Sequence, residues 1–167
     1  MRVTTRVRYG LRAMLQIADA WGTNHPVPTS AIASSQEISG KYLEQLVGSL
    51  RRRELISSRK GVHGGYSLTR APQEITLWQI IAALDGETEL VECVTHPEIC
   101  DKAQQCCTRV IWSLLGKSMH EFWESFTLKD LLDRLPHGGG DLLPCQQARV
   151  HGSARGASAR TEDEPVH

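Results

Sequence analysis

No apolar run in this chain approaches the about twenty residues that a bilayer-crossing helix needs. A secretory leader is missing too: residues 1–20 are amphipathic and carry four arginines. Together these absences exclude membrane partners and point to a cytoplasmic protein, nucleoid-associated if it binds DNA. There is no internal repeat, no Ser-His-Asp arrangement, no phosphate-binding glycine loop and no acid pair that can be assigned to a cleft. No catalytic residues are expected, and an enzyme is disfavoured. Net charge is absent as well, with 19 Lys and Arg against 19 Asp and Glu. The five cysteines lack the paired CxxC spacing of structural zinc sites. In a cytoplasmic chain of 167 residues, long enough to bury a core without cross-links, a disulfide framework is disfavoured and metal or redox chemistry leads.

The zero balance conceals two opposite halves. Residues 1–70 hold eleven basic and four acidic side chains, whereas residues 71–167 hold eight and fifteen. A basic half beside an acidic one suggests a polyanionic partner for the first.

Apolar periodicity organises that first half. Val7, Leu11, Met14, Leu15, Ala18 and Trp21 predict a helix over about 5–21. A Gly/Asn/Pro-rich break follows over 22–28, and Thr29 or Ser30 can cap a short second helix bearing Ile32. After a turn near Glu37–Ile38, Ser39 can cap a third helix over 40–53. Leu43, Leu46, Val47 and Leu50 would face inward; Lys41, Glu44, Gln45, Gly48, Arg51 and Arg52 would face out. Two helices joined by a short turn, the second presenting polar groups suited to base edges, describe a helix-turn-helix. Residues 55–68 read as a hairpin whose Gly61, Gly64 and Gly65 let the turn adopt positive φ and approach a surface closely, with Arg59, Lys60 and His63 at its tip. A hairpin directly after the recognition helix is a wing.

In the second half, Thr76 and Gln79 form a capping box for a fourth helix ending near Gly86, with Ile75, Leu77, Ile80, Ile81 and Leu84 as its apolar face. A cysteine loop follows. A long helix from about Cys106 to Ser125 then carries Val110, Ile111, Leu114, Leu115, Met119, Phe122, Trp123 and Phe126. Burial against a second copy of the chain explains so wide a stripe beyond an existing core. Thr127 caps a closing helix bearing Leu128, Leu131, Leu132 and Leu135, and the Gly/Ser/Ala/Arg-rich remainder is expected to be disordered. The expected fold is mainly α with a small β-hairpin wing, a winged helix-turn-helix plus a long dimerisation helix. The expected divisions are 1–86 for DNA binding, 87–106 for the cysteine loop, 107–135 for dimerisation and closure, and 136–167 for the tail.

Cys93, Cys100 and Cys106 are separated by six and five residues. Thiolates spaced so widely on one loop can wrap a group larger than a single ion.

The chain resembles the Rrf2 family of winged-helix regulators, typified by the iron–sulfur regulator IscR and the nitric-oxide sensor NsrR. The resemblance rests on Met1-Arg2-Val3-Thr4 with Arg8-Tyr9, Tyr42-Leu43-Glu44-Gln45-Leu46, Leu50-Arg51, Leu55-Ile56-Ser57-Ser58, Gly61 with Gly64-Gly65-Tyr66, and the three cysteines followed by Trp112. It implies a homodimer whose long helices cross, and DNA reading by Ser39, Lys41, Glu44 and Gln45 with Arg59 and Lys60 of the wing. The chemistry of these side chains agrees. Gln45 can pair with adenine, Glu44 can accept from cytosine N4, Arg59 or Lys60 can enter a narrow minor groove or hold phosphate, and Arg51 can contact the backbone of double-stranded DNA.

The resemblance further implies an iron–sulfur cluster, two-iron or four-iron, on Cys93, Cys100 and Cys106, serving as a sensor of iron–sulfur, redox or nitric-oxide status. Its fourth ligand stays open. The histidine of IscR-like relatives is replaced by Arg109 and the acid of NsrR-like relatives by Arg8, which leaves Cys107, His96, Glu98, a partner's first helix or a small molecule. Cys107 suits helix packing, and Cys145 in the tail is a bystander. The alternatives are a cluster-free regulator responding to thiol oxidation or zinc, a small metal-binding electron carrier, and a protein-binding scaffold.

Overall fold

The computed structural model describes residues 3–23, 25–86 and 90–134. These described residues belong to one compact unit. The expected tail over 136–167, with Cys145, and the Leu135 expected on the closing helix lie outside the described residues.

Helix α1, Thr5–Asp19, begins where the Thr4 side chain accepts from the Val7 amide. It buries Val7, Gly10, Ala13, Met14, Ile17 and Ala18, the three- and four-residue spacing of one helical face. At Gly10 a Cβ would run into the side chain of Leu84, whose Cγ would lie 3.2 Å away, so glycine lets α1 close onto the helix bearing Leu84. Trp21 departs from expectation. The helix ends at Asp19, the chain turns through Gly22 (φ 84°), and Trp21 leaves the apolar face to stand 45% exposed.

Helix α2, Thr29–Ser35, is entered through Pro28, with no side-chain cap. Thr29 and Ser30 are the first two residues of the helix rather than its cap, because Pro28, with extended backbone (ψ 142°), holds the N-cap position. Glu37 (φ 53°) reverses the chain, and Ser39 then caps α3, Gly40–Arg52, by accepting from the Tyr42 amide at 3.2 Å. Leu43, Leu46, Val47 and Leu50 are buried as the sequence pattern predicts.

Strands β1, Ile56–Arg59, and β2, Gly65–Leu68, pair antiparallel from Ile56↔Leu68 to Arg59↔Gly65. Val27 bridges Tyr66 through backbone bonds of 2.9 Å in both directions, tying the wing to the chain ahead of α2. Of the three wing glycines only Gly61 takes positive φ (109°). Gly64 and Gly65 serve a different purpose from the positive φ expected: a Cβ at Gly64 would strike the Arg59 and Gly61 carbonyls, and one at Gly65 would strike the Val27 backbone.

Helix α4, Leu77–Asp85, has the Thr76–Gln79 capping box and stops at Gly86 (φ 83°). Beyond it the chain forms helix α5, Cys107–Glu124, and helix α6, Leu128–Leu132. Thr127 and Asp130 cap α6 reciprocally, and the backbone joins Leu77 N to Phe126 O (2.8 Å) and Leu128 N to Ile75 O (3.0 Å). Leu128 is completely buried, so the closing helix shares the core of α1 to α4. Helix α5 behaves otherwise: none of its residues is buried. Trp123, with Phe126 just past the helix end, turns toward the core, while Val110, Ile111, Leu114, Leu115 and Phe122 remain 44–59% exposed. No described helix is long and apolar enough to cross a membrane.

Candidate DNA-reading surface and cysteine loop

Lys41, Glu44 and Gln45 stand three and four positions apart on α3, exposed on one face while the opposite face fills the core. Ser39 sits at the start of that row. Its oxygen accepts the Tyr42 amide, which leaves its hydroxyl proton free to donate outward. Arg59 and Lys60 are exposed at the wing, and Val62 at its tip is 98% exposed. Arg51 reaches from the last turn of α3 to the Ser58 hydroxyl of β1 at 3.4 Å, which joins the recognition helix to the wing. All seven sequence-chosen positions are thus exposed on two adjoining elements.

Electrostatics sharpen this surface. Among the described residues the ion pairs are His96–Glu98, Lys117–Glu121 and Lys129–Asp133, all in the second half. Among the described residues the arginines and lysines of α1, α3 and the wing have no carboxylate within pairing distance, so this half keeps an unneutralised positive field. Sequence reasoning passed over one cationic group. Arg6 Nη2 and Arg52 Nη2 both donate to the buried Ser49 hydroxyl, at 3.2 and 2.9 Å, while Arg6 Nε donates to Leu84 O at the end of α4 (3.1 Å). The only hint in the sequence was the arginine density of the first helix.

Between α4 and α5 the cysteine loop folds as three single turns, Glu92–Val94, Pro97–Ile99 and Ala103–Gln105. Cys93, Cys100 and Cys106 are half-buried free thiols and Cys107 is an exposed one. Cys107 opens α5 and, like the apolar side chains of that helix, is exposed within one chain. Cys106 holds the N-cap position of α5, with Sγ 3.1 Å from Thr108 Oγ1. Hydrogen bonding from the Thr108 hydroxyl, then from the Arg109 amide, holds its thiol below the ordinary cysteine range. His96 and Glu98, both about two-thirds exposed, engage each other at 3.0 Å. Glu98's own amide, then His96, lowers that carboxyl.

Among the described residues no three His, Cys, Asp or Glu side chains converge as a metal would require. A cleft of about 300 Å³ lies between the loop and α5, and Cys106 is the one thiol on its wall, beside Val94, Ala103, Arg109 and Leu114. Three half-buried thiols on one loop are the kind of donor set an iron–sulfur cluster takes. As folded, the loop does not bring the three together into one such group.

A family model described as Rrf2, iron-dependent transcriptional regulator, matches residues 3–134. Protein rrf2 of Nitratidesulfovibrio vulgaris is 40% identical over 132 residues, covering 79% of this chain and 87% of that protein. IscR of Sodalis glossinidius is 38% identical over 132 residues, 79% of each chain. Among solved structures, CymR, the global cysteine regulator of B. subtilis, superposes with a TM-score of 0.67 at 34% identity, over 81% of this chain and 99% of its own. IscR of T. potens gives 0.61 at 33% identity, over 83% and 94%. These relatives are DNA-binding regulators rather than enzymes, and the two-stranded wing behind a helix-turn-helix is their architecture. The chain belongs to the Rrf2 family of winged-helix transcriptional regulators.

Proposed function

We propose that this regulator is a homodimer that reads a specific DNA site with Ser39, Lys41, Glu44, Gln45, Arg51, Arg59 and Lys60, and that Cys93, Cys100 and Cys106 couple that reading to iron–sulfur, redox or nitric-oxide status. The observation that carries the reading is the chain path. The stretch bearing all three thiols joins α4, packed in the winged domain, to α5, whose apolar face stays about half exposed among the described residues. A change in the loop therefore bears on how two recognition helices are set relative to each other.

Each side chain has a defined task. Gln45 offers an amide donor and acceptor to adenine, and Glu44 an acceptor to cytosine N4. Arg51 and the wing cations fix register on phosphates. In α5, Val110, Ile111, Leu114, Leu115 and Phe122 pack against their counterparts in a second copy, the arrangement expected of an isologous interface. Cys93, Cys100 and Cys106 would hold the cluster, which supplies one-electron redox and oxygen- or nitric-oxide-sensitive chemistry when bound. A fourth protein ligand among Cys107, His96 and Glu98 is best supported for Cys107, because His96 and Glu98 are engaged with each other. The divisions at residues 86, 106 and 135 follow from the same assignment of roles.

A second reading, thiol oxidation without a cluster, is favoured by the lowered Cys106 thiol and by similarity to CymR of Staphylococcus aureus, which has been solved in an oxidized form. Protein prepared without oxygen separates the two. The cluster reading expects visible absorption with iron and sulfide in stoichiometric amount, lost in each of Cys93→Ala, Cys100→Ala and Cys106→Ala and kept in Cys145→Ala. Colourless, iron-free protein whose DNA affinity still responds to peroxide through Cys106 would favour the second.

A further inference from the structure

Arg109 lies in the first turn of α5, half-buried, with its guanidinium turned back into the cysteine loop. Nη2 donates to Val94 O at 3.3 Å and Nη1 to Ala103 O at 3.4 Å. Those carbonyls bracket the stretch that contains Cys100, and Ala103 is its one buried residue, 4% exposed. The Arg109 amide also donates to Cys106 O at 3.2 Å. No carboxylate among the described residues pairs with this guanidinium. Its charge is instead committed to two carbonyls from different turns, which a planar fork can satisfy together and a single ammonium cannot with the same geometry. With this fork engaged, the three thiols do not converge.

We propose that Arg109 is the residue that positions the cysteine loop, and that it latches the loop in the arrangement with the thiols apart, so that metal uptake works against it. Val94 and Ala103 are held to α5 by one side chain, which makes the latch a link between the loop and the helix with the exposed apolar face. A group that stabilises one of two states lowers the apparent affinity of any ligand that binds only the other. This rests on the reading that Cys93, Cys100 and Cys106 ligate a metal centre.

The test uses reduced, metal-free, full-length protein as wild type, Arg109→Gln and Arg109→Lys. Hydrogen exchange is read at residues 94–103, and cobalt(II) alone is then titrated by visible absorption. Arg109→Gln should speed exchange in the loop about tenfold, with α1 to α4 unchanged, and should bind cobalt about tenfold more tightly. Arg109→Lys should fall between it and wild type, and carries the same comparison if the glutamine variant does not fold. Unchanged loop exchange overturns the positioning role, as does faster exchange spread through α1 to α4. A loosened loop with weaker cobalt binding overturns the latch, since Arg109 would then be gathering the thiols. If no form binds cobalt, the metal reading of the cysteines fails, and exchange alone decides the positioning role.

Discussion

Replacing Leu115 by Asp should dissociate the protein into folded monomers. Leu115 is 44% exposed and Phe122 54% exposed within one chain, and neither belongs to the core around α1 to α4. Full burial of a leucine or phenylalanine is worth roughly 1.5–3 kcal/mol, so covering the remaining half of each recovers about 1 kcal/mol. Five such side chains per protomer, doubled by symmetry, give roughly 10 kcal/mol. The cost of association is estimated at about 4–15 kcal/mol, so the dimer has little stability to spare. An aspartate at position 115 removes apolar contact and adds a desolvated carboxylate at two symmetric sites. Together these cost several kcal/mol, roughly a thousandfold or more in dissociation constant. Sedimentation equilibrium measures the loss, and thermal unfolding shows whether the winged domain survives. A wild type that is monomeric at micromolar concentration, or a Leu115→Asp variant that dimerises like wild type, refutes the reasoning.

Gln45→Ala and Glu44→Ala should relax preference at their bases by about 1–3 kcal/mol each in competition binding against altered sites. Arg59→Ala and Lys60→Ala should weaken all sequences alike and flatten the salt dependence; affinity that stays intact in both removes the wing from the interface. Gly10→Ala should lower thermal stability by about 1–3 kcal/mol, because Leu84 fills the space of the new methyl, and relief by Leu84→Ala in the double variant is the check. Alkylation of Cys106 follows its thiolate, so its rate should rise at lower pH than for an unperturbed cysteine. Thr108→Val, which removes the leading cause of the shift, should move that profile upward.

Much of this was legible in the sequence because local chemistry decided it. Ser39, the Thr76–Gln79 pair and Thr127 cap the helices they were expected to cap, since each precedes an unambiguous apolar period. The polar row of α3 followed from the same arithmetic. Trp21 shows the limit of periodicity: its spacing fits α1, but the turn at Gly22 carries it off the face. Thr29 and Ser30 looked like caps because residue type alone does not reveal that Pro28 already sets the backbone. The glycines of the wing were read as allowing positive φ and close approach to an outside surface, yet positive φ belongs to Gly61 alone, and Gly64 and Gly65 make room for the chain's own backbone. The role of Arg109 was beyond reach, because its partners are carbonyls whose position depends on how the loop turns between Val94 and Ala103. The Arg6–Ser49–Arg52 group was hidden for a similar reason, since α1 and α3, with the Leu84 carbonyl of α4, assemble it from distant parts of the chain.

The coupling of the cysteine loop to DNA reading is tested most directly by following one sample through both events. Protein purified without oxygen is bound to its operator, and affinity is recorded by fluorescence anisotropy as controlled oxygen is admitted and the visible absorption is watched. The account predicts that loss of absorption and a change in affinity proceed together, and that Cys93→Ala, Cys100→Ala and Cys106→Ala each begin in the oxygen-exposed state. Affinity that stays constant while the absorption bleaches would contradict it.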